Sequence, residues 1–292
     1  MASVVTLVGK LDEAIVAEAC SLLNRAGAET ADPNWIETGE ALDIPFDGLE
    51  HVEAHQALLT ADLPLDHAVQ GRQGRRKKLL VADMDSTIVT TETLDDLAAF
   101  VGLKEKIAAI TARAMAGELE FEPALRERVG LLAGMPESRL EEAYAEVVLS
   151  KGAETLVRTM AAKGAFCALV SGGFDFFTSR VRARCGFDLD VSNRLEIAEG
   201  ALTGQVLDPI VTKETKLEQL KTLSAERGFG PAEAVTVGDG ANDLPMLEAA
   251  GLGVAYQGKP LLREATRARV DHTDLTALLF FQGYARADFV EA

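Results

Sequence analysis

The stretch LLVADMDST, residues 79–87, decides the fold of this chain. Four mostly apolar residues run directly into two aspartates separated by one residue, Asp83 and Asp85, and Ser86 and Thr87 follow. A short apolar run that ends in charge is typical of a buried strand in a parallel sheet, and ligands bind beyond the carboxyl ends of such strands. Residues i and i+2 of an extended segment point to the same side, so both carboxylates can reach one small object.

The paired carboxylates also predict a metal ion. Asp83 and Asp85 repel each other at this spacing unless a cation lies between them. Mg²⁺ is the cation expected, because it prefers hard oxygen ligands and commonly binds beside a substrate phosphate. A D-x-D pair by itself also occurs in surface turns after strands, so the prediction depends on the motifs further along the chain.

Length and composition restrict the class of protein. The chain has 292 residues, 48% of them hydrophobic, and a formal net charge of -17. This charge makes nucleic acid and anionic membranes poor partners, and an anionic small substrate requires cations concentrated at its site. The start of the chain does not resemble a signal peptide, and the three cysteines have no metal-ligand spacing. We therefore expect a cytoplasmic protein with reduced thiols.

The pattern predicts two domains. Residues 1–74 are predicted to form a small α+β module, with a strand over 3–8 and a helix over 11–26. The module is similar to ACT-type amino-acid-binding modules. A structural or dimerising role, and with it a homodimer, is expected, and an amino-acid ligand is left open. The basic stretch 70–78 is expected to be a solvated linker to the second domain, residues 78–292.

The second domain is predicted to be α/β. Its apolar runs alternate with helical patterns, which indicates a parallel sheet with right-handed crossovers. Residues 92–150 are almost wholly helical in pattern and interrupt the sheet after its first strand, and a hairpin is expected over 190–206. The strands expected are 79–82, 165–170, 234–237 and 252–256.

Four motifs in this domain resemble a known family. They are DMDST at 83–87, VSGG at 170–173, Lys216, and GDGAND at 238–243. In this order they resemble the haloacid dehalogenase (HAD) superfamily of phosphohydrolases. In the details DMDST, Glu92, VSGGF and FEPALRER the chain resembles the phosphoserine phosphatases of that superfamily. The resemblance implies a HAD-like Rossmannoid parallel core with a helical cap at about residues 92–150.

The resemblance also implies a reaction and its residues. It implies Mg²⁺-dependent hydrolysis of O-phospho-L-serine to L-serine and phosphate, the last step of serine biosynthesis. Asp83 would be the nucleophile that forms an aspartyl-phosphate, and Asp85 the general acid and base. Mg²⁺ would be held by Asp83, the main-chain carbonyl of Asp85 and Asp239. Asn242 would bind substrate, and Asp243 would support the lysine or a bound water. Spacing alone does not assign these roles.

Cations and glycines are expected around the phosphate. The Ser171 hydroxyl can donate a hydrogen bond to a phosphoryl oxygen, and Gly172 lets main-chain N–H groups approach closely. Lys216 would place a positive charge beside the phosphate and the nucleophile. Lys213 competes for that role, and we prefer Lys216 because it matches the family spacing to Asp239 and falls within a helical pattern.

The helical cap is expected to select the substrate. Glu92 suits the ammonium group of phosphoserine, and Arg128 suits a bidentate contact with its carboxylate. Arg126 competes with Arg128, but the spacing from Phe121 in the family motif favours Arg128. Met115 and Phe121 are expected to wall the pocket.

Two alternative functions stay open. A related phosphotransferase, moving phosphate from phosphoserine to homoserine for example, would keep every core motif and differ in the cap. An amino-acid-sensing regulator with a silent phosphatase core is a different class, and detectable turnover would exclude it. A cysteine phosphatase is rejected because no cysteine begins a C-x5-R motif.

Overall fold

The computed structural model describes residues 2–115 and 118–291, without the side chains of residues 112, 114 and 115. Met115, expected to wall the pocket, therefore lies outside the described side chains. In chain order the elements are β1 (Ser3–Val8), α1 (Glu13–Arg25), β2 (Glu29–Thr30), β3 (Asn34–Glu37), β4 (Ala41–Asp47), α2 (His51–Leu59), β5 (Asp66–Gly71), β6 (Leu79–Ala82), α3 (Thr93–Phe100), α4 (Lys104–Met115), α5 (Phe121–Gly130), α6 (Ser138–Ala145), α7 (Ala153–Ala162), β7 (Phe166–Phe174), α8 (Asp175–Cys185), β8 (Leu189–Ala198), β9 (Ala201–Leu207), α9 (Lys213–Glu226), β10 (Ala234–Gly238), α10 (Leu244–Ala249), β11 (Leu252–Tyr256), α11 (Pro260–Ala265), β12 (Ala268–Val270) and α12 (Ala277–Phe281).

The strands of the described residues form one mixed sheet. Its order is β2-β4-β1-β5-β12-β11-β10-β6-β7-β8-β9, with β3 also paired to β4. The strands from β12 to β8 are parallel to their neighbours, and β9 closes that end as the second strand of an antiparallel hairpin. All four residues of β6 are buried at the centre of this parallel part, as the apolar run predicts. The α/β prediction for the second domain and its hairpin is confirmed.

The N-terminal module, β1 to β5 with α1 and α2, has its own core. Strand β1 pairs antiparallel with β4 on one side and β5 on the other, and apolar side chains of the strands and both helices form a separate cluster. This split βαβ arrangement is compatible with an ACT-type module, which stays a prediction. The sequence pattern did not indicate β4 and β5, since β4 contains Pro45 and β5 begins with Asp66 and His67, residues that disfavour a strand.

The module is joined directly to the sheet of the second domain. Strand β5 pairs antiparallel with β12, so the two sheets are continuous. The prediction that residues 70–78 form a solvated linker is wrong for two of the basic residues in that stretch. Arg75 donates to Asp43, the Thr6 hydroxyl and the Phe281 carbonyl, and Lys77 is 8% exposed. Basic composition usually indicates solvent, but here main-chain carbonyls and a carboxylate converge on these groups and satisfy their donors.

Asp66 anchors the module to the loop after β12. Its side chain is fully buried. One carboxylate oxygen accepts hydrogen bonds from the main-chain N–H groups of Asp271 and His272, at 2.6 and 2.9 Å, and the other accepts from the N–H and hydroxyl of Thr273. Several donors to one buried carboxylate make this a strong local contact between module and core.

Four helices, α3 to α6, form a helical insertion between β6 and β7, as predicted. The chain enters and leaves it through two paired segments, where Ser150 N–H donates to the Ile88 carbonyl and Thr90 N–H to the Val148 carbonyl. Its far side is hydrogen-bonded to the β8–β9 hairpin through the main chains of Gly134 and Leu202. Whether the insertion acts as a cap stays a prediction. No helix within 2–115 and 118–291 combines the length and apolar character needed to cross a membrane.

Replacement of Asp66 tests the contact between the N-terminal module and the loop after β12. In Asp66→Asn an amide group would face main-chain N–H donors, so we expect a loss of about 3 kcal/mol of unfolding free energy in urea titrations. The matched control is Asp32→Asn, an exposed site in the same module, which should change stability by less than about 0.5 kcal/mol. Equal stability of the two variants would contradict the anchoring role.

Candidate active site

The polar side chains predicted to share a site follow three neighbouring strands. Asp83 comes directly after β6, Asp239 directly after β10, and Ser171 lies near the end of β7. Strands β10, β6 and β7 are parallel neighbours, so their carboxyl ends adjoin. The Asp83 N–H donates to the Val237 carbonyl of β10 at 3.0 Å, which fixes the start of the turn. The structure thus brings these side chains to one edge of the sheet.

A tight turn after β6 directs both aspartates of the D-x-D pair. Asp83 Oδ1 accepts from the Met84 N–H at 2.8 Å. Ser86 has φ 53°, a left-handed conformation that is uncommon outside glycine, asparagine and aspartate. The Thr87 hydroxyl donates to Asp239 Oδ1 at 3.3 Å, which ties the turn to the neighbouring strand end.

Lys216 lies between two buried carboxylates. Its Nζ is 2.7 Å from Asp83 Oδ1 and 2.7 Å from Asp243 Oδ1. Burial by itself would lower the pKa of Lys216, but the two carboxylates raise it well above its ordinary value, so the ammonium stays charged. Lys213, the competing candidate, pairs instead with exposed Glu214 at the start of α9.

The glycines of GDGAND leave room for Asp243. A Cβ on Gly238 would lie 2.3 Å from Asp243 Cγ, so no side chain fits there. The Gly240 N–H donates to Asp243 Oδ2 at 3.1 Å. Both oxygens of Asp243 therefore have donors, one from Lys216 and one from the loop, as a supporting residue requires.

Three carboxylates could hold a cation. Asp83, Asp239 and Asp243 each offer an oxygen, and these atoms lie within 4.8 Å of one another. Burial followed by the charge of Asp243 raises the pKa of Asp239 to about 6, and the same two causes raise the pKa of Asp83 against the effect of Lys216. Such crowded oxygen donors suit a divalent metal, which would relieve their repulsion. The grouping includes Asp239 as predicted and adds Asp243 to the set.

Asp85 points away from this group, toward the helical insertion. Its Oδ1 accepts from the Thr93 N–H at 3.1 Å. A Cβ on Gly173 would lie 2.8 Å from its Oδ2, so that oxygen lies against the glycine segment, residues 171–173. Burial and then the charge of Glu92 raise the pKa of Asp85 to about 7. A carboxyl with that pKa holds a proton near neutrality and can give it up.

The glycine segment leaves a hydroxyl proton free. Ser171 Oγ accepts from the Gly173 N–H at 2.9 Å, so its own hydrogen remains available to an anion. Gly172 is held by a residue that the sequence analysis missed. The buried Asn193 donates to the Gly172 carbonyl and accepts from the Val211 N–H, both at 2.7 Å. An asparagine inside an alternating strand was the signal available for it.

The predicted specificity residues lie on the helical insertion. Exposed Glu92 accepts from the Ser86 hydroxyl at 2.8 Å. Arg128 is partly buried, which lowers its pKa, while the charges of Asp95 and Glu92 oppose that shift. Its nitrogens donate to uncharged oxygens, the Ala124 carbonyl and the Thr111 hydroxyl.

The structure also describes three further residues that the sequence analysis considered for the substrate site. Arg126, the competitor of Arg128, is paired with Glu122 and Asp208. Phe121 is 40% exposed and its Cζ lies 3.5 Å from the position of a Cβ on Gly172, so the insertion reaches the glycine segment. Asn242 is exposed beside this site.

Comparisons with known proteins match this region. Residues 80–248 match the family model of haloacid dehalogenase-like hydrolase, a range that includes the strand-end residues from Asp83 to Asp243. A phosphoserine phosphatase of Streptomyces coelicolor is 41% identical over 86% of this chain and 62% of its own length, so the chain spans about six tenths of that relative.

Solved structures of phosphoserine phosphatases are also similar to this chain. A probable phosphoserine phosphatase from Vibrio cholerae, in unliganded form, has a TM-score of 0.79 and 34% identity, covering 98% of this chain and 88% of that one. A phosphoserine phosphatase solved as a phospho-aspartyl intermediate analogue has a TM-score of 0.66 and 37% identity, covering 70% of this chain and 99% of that one. The likeness to the Vibrio structure therefore extends over the N-terminal module as well.

The raised carboxyl pKa values predict how stability depends on pH in chelator-treated protein. Asp239 and Asp85 have folded-state pKa values of about 6 and about 7, against roughly 3.9 in an unfolded chain. The folded state then binds more protons between these values, so the unfolding free energy should fall as pH rises from 4 to 7.

The matched variant is Asp239→Asn, which should reduce this fall by about 1 kcal/mol per pH unit near pH 5. Urea titrations at several pH values measure it, and an added divalent cation should flatten the wild-type slope. A wild-type slope that is zero or positive without metal would contradict the assigned pKa directions.

Proposed function

The chain belongs to the haloacid dehalogenase-like hydrolases, and on that basis we propose that it hydrolyses O-phospho-L-serine to L-serine and phosphate. One observation carries the proposal: a buried aspartate paired with Lys216 lies beside Asp85, whose carboxyl faces the Ser171 segment. A nucleophile, a proton donor and an anion-binding hydroxyl thus meet at one edge of the sheet. The substrate is a small molecule, and the acidic chain disfavours nucleic acid or a membrane as partner.

The proposed reaction has two steps. In the first, an Asp83 oxygen attacks phosphorus, the bond between phosphorus and the seryl oxygen breaks, and Asp85 gives its proton to that oxygen. In the second, water attacks the phosphorus of the aspartyl-phosphate, Asp85 takes a proton from the water, and phosphate leaves with Asp83 restored. A related phosphoserine phosphatase is known as a phospho-aspartyl intermediate analogue, which supports this route.

The surrounding charges support transfer of an anionic group. Lys216 opposes the rise in the pKa of Asp83, and its positive charge would reduce the repulsion between Asp83 and the phosphate. The Ser171 hydroxyl and the N–H groups of the glycine segment are placed to bind phosphoryl oxygens. Asp83, Asp239 and the main-chain carbonyl of Asp85 are the proposed Mg²⁺ ligands, with Asp243 behind them. When bound, Mg²⁺ would neutralise charge on the phosphoryl oxygens.

Substrate choice is assigned to the helical insertion, acting as a cap. The Phe121 ring lies next to Gly172, 3.5 Å from the position that a Cβ there would take, so closure of the insertion over the site would exclude water. We assign Glu92 to the substrate ammonium, Arg128 to its carboxylate and Asn242 to substrate contact beside the loop. A cytoplasmic location and a homodimer stay predictions for the whole protein.

Phosphate release tests the proposal directly. With Mg²⁺, the protein should release phosphate from L-phosphoserine much faster than from D-phosphoserine, phosphothreonine or sugar phosphates, and chelation should abolish release. Asp83→Asn should lose at least about a thousandfold in kcat, because no other described group is placed to form the covalent intermediate. Turnover of sugar phosphates alone would overturn the substrate. Phosphate transfer to homoserine without release would favour the phosphotransferase.

A matched pair on α5 tests the specificity assignment. Arg128→Lys should lower kcat/KM for phosphoserine by about ten- to a hundredfold, since lysine cannot make the bidentate contact. Phosphoethanolamine, which lacks the carboxylate, should be affected by less than about threefold. Arg126→Lys is the control, because Arg126 is paired with Glu122 and Asp208. Equal losses for the two substrates in Arg128→Lys would contradict the assignment.

A further inference from the structure

A cleft of about 1360 Å³ connects the candidate active site with the N-terminal module. Asp239 and Thr90 line it at the active site, and Gly9, Lys10 and Pro64 line it at the module. Strand β1 runs in the same direction as β12, because both are antiparallel to β5. The loop after β1 therefore lies on the edge where the parallel strands end, so the pairing of β5 with β12 extends the active-site edge into the module.

The cleft is distinct from the region assigned to the serine part of the substrate. That part is assigned to Glu92 and Arg128 of the helical insertion, and neither is among the described residues that line the cleft. Asp239 borders the cleft and is partly exposed, whereas Asp83 is 5% exposed. The cleft thus reaches the active site from the side of Asp239, away from the substrate contacts of the insertion.

The charged side chains of the cleft wall do not cancel. Apart from the active-site carboxylate, the acidic residues of the wall have cationic partners. Glu40 is paired with Arg286, and Asp274 Oδ2 lies 3.3 Å from the Nζ of Lys151. Lys10 is exposed and forms no ion pair among the described residues. The wall therefore retains an uncompensated positive charge, although the whole chain has a formal net charge of -17.

Main-chain hydrogen bonds hold Lys10 at the cleft. The Gly9 N–H donates to the Glu40 carbonyl at 2.9 Å, and the Leu11 N–H donates to the Gly39 carbonyl at 3.0 Å. These two bonds flank Lys10 and fix the loop after β1 against the turn before β4. The backbone of Lys10 is thereby held in place while its side chain stays in solvent, where a charge acts on ligands at a distance.

A second cation faces the cleft from the segment by which the chain leaves the helical insertion. The side chain of Lys151 is 88% exposed, so its pair with Asp274 contributes little energy and leaves the ammonium able to attract another anion. The Lys151 carbonyl accepts from the Leu275 N–H at 3.1 Å, which fixes this residue beside the cleft. Lysines from both domains therefore border one cleft that ends at the active site.

We propose that this cleft is the route by which a phosphate dianion reaches the active site, and that Lys10 and Lys151 attract the dianion along it. The inference rests on the proposed function, whose substrate is a phosphomonoester. In a chain of net negative charge, cations fixed near a site raise the local concentration of an anionic ligand and the rate at which it arrives. The lysines act before the chemical step, so they affect kcat/KM and leave kcat unchanged.

Removal of each charge tests the route. Phosphate release from phosphoserine is measured at saturating Mg²⁺ in Lys10→Gln, Lys151→Gln and the double variant. At an ionic strength of about 10 mM, we expect kcat/KM to fall about threefold in each single variant and about tenfold in the double variant. At about 500 mM all three should lie within about twofold of the wild type, because salt screens exposed charges, and kcat should stay within about twofold throughout.

Two controls separate the position of a charge from its presence in the chain. Lys10→Arg keeps the charge and should retain kcat/KM within about twofold of the wild type. Lys221→Gln removes one charge from an exposed lysine on α9, outside the described lining of the cleft, and should change kcat/KM by less than about 1.5-fold. Binding of inorganic phosphate, measured by calorimetry with Mg²⁺, is a readout without turnover, and it should weaken by the same factors as kcat/KM.

Equal losses in Lys221→Gln, losses that persist at high salt, losses in kcat alone, or an unchanged double variant would each overturn the role of the lysines. Failure of the proposed function is a separate result, seen when the wild-type protein does not hydrolyse phosphoserine. The phosphate-binding measurement then still decides on the route, and a wild type that binds no phosphate at either ionic strength overturns it.

Discussion

The buried contact of one ammonium group with two carboxylates is the constraint on which the site depends. Lys216 has almost no exposure to solvent, and both Asp83 and Asp243 are 2.7 Å from its nitrogen. Each charge has lost most of its hydration, and removal of the ammonium would leave two buried carboxylates uncompensated, at a cost of about 3–5 kcal/mol. Several features of the sequence follow from this arrangement. Gly238 must lack a side chain, since Asp243 occupies that space. Helix α9, which carries Lys216, begins directly after Thr212, whose hydroxyl caps it by accepting from the Thr215 N–H.

The D-x-D pair gains two different environments from the same tight turn. Asp83 is paired with Lys216, which opposes the rise of its pKa, and it belongs to the group that suits a cation. Asp85 is two residues away and forms no ion pair among the described residues, and burial followed by the charge of Glu92 raises its pKa to about 7. Two carboxyl groups that are close in sequence thus have different partners, which fits the proposed roles of nucleophile for Asp83 and of proton donor for Asp85.

The parts of this fold that follow from local pattern were predictable from sequence, and contacts between distant segments were not. The strand ends with Asp83, Ser171 and Asp239, and the choice of Lys216 over Lys213, follow from apolar runs and family motifs. Strand β12 has three residues, and β5 begins with polar residues, so neither has a clear period. Because these two strands pair, the sheets of the two domains are continuous, where the sequence predicted only a linker. The contacts of Thr93 with Asp85 and of Asn193 with Gly172 also join segments whose approach only the folded chain shows.

The central claim is that a carboxylate oxygen of Asp83, which is paired with Lys216, attacks phosphorus. The most direct measurement is rapid acid quenching of the protein during turnover of phosphoserine, followed by peptide mass spectrometry to locate the phosphoryl group. The account predicts one acid-stable, base-labile phosphoryl group on the peptide that contains Asp83, with fragmentation placing it on that residue. Phosphate on Ser171 or on any other side chain, or turnover with no phosphorylated protein at any quench time, would contradict it.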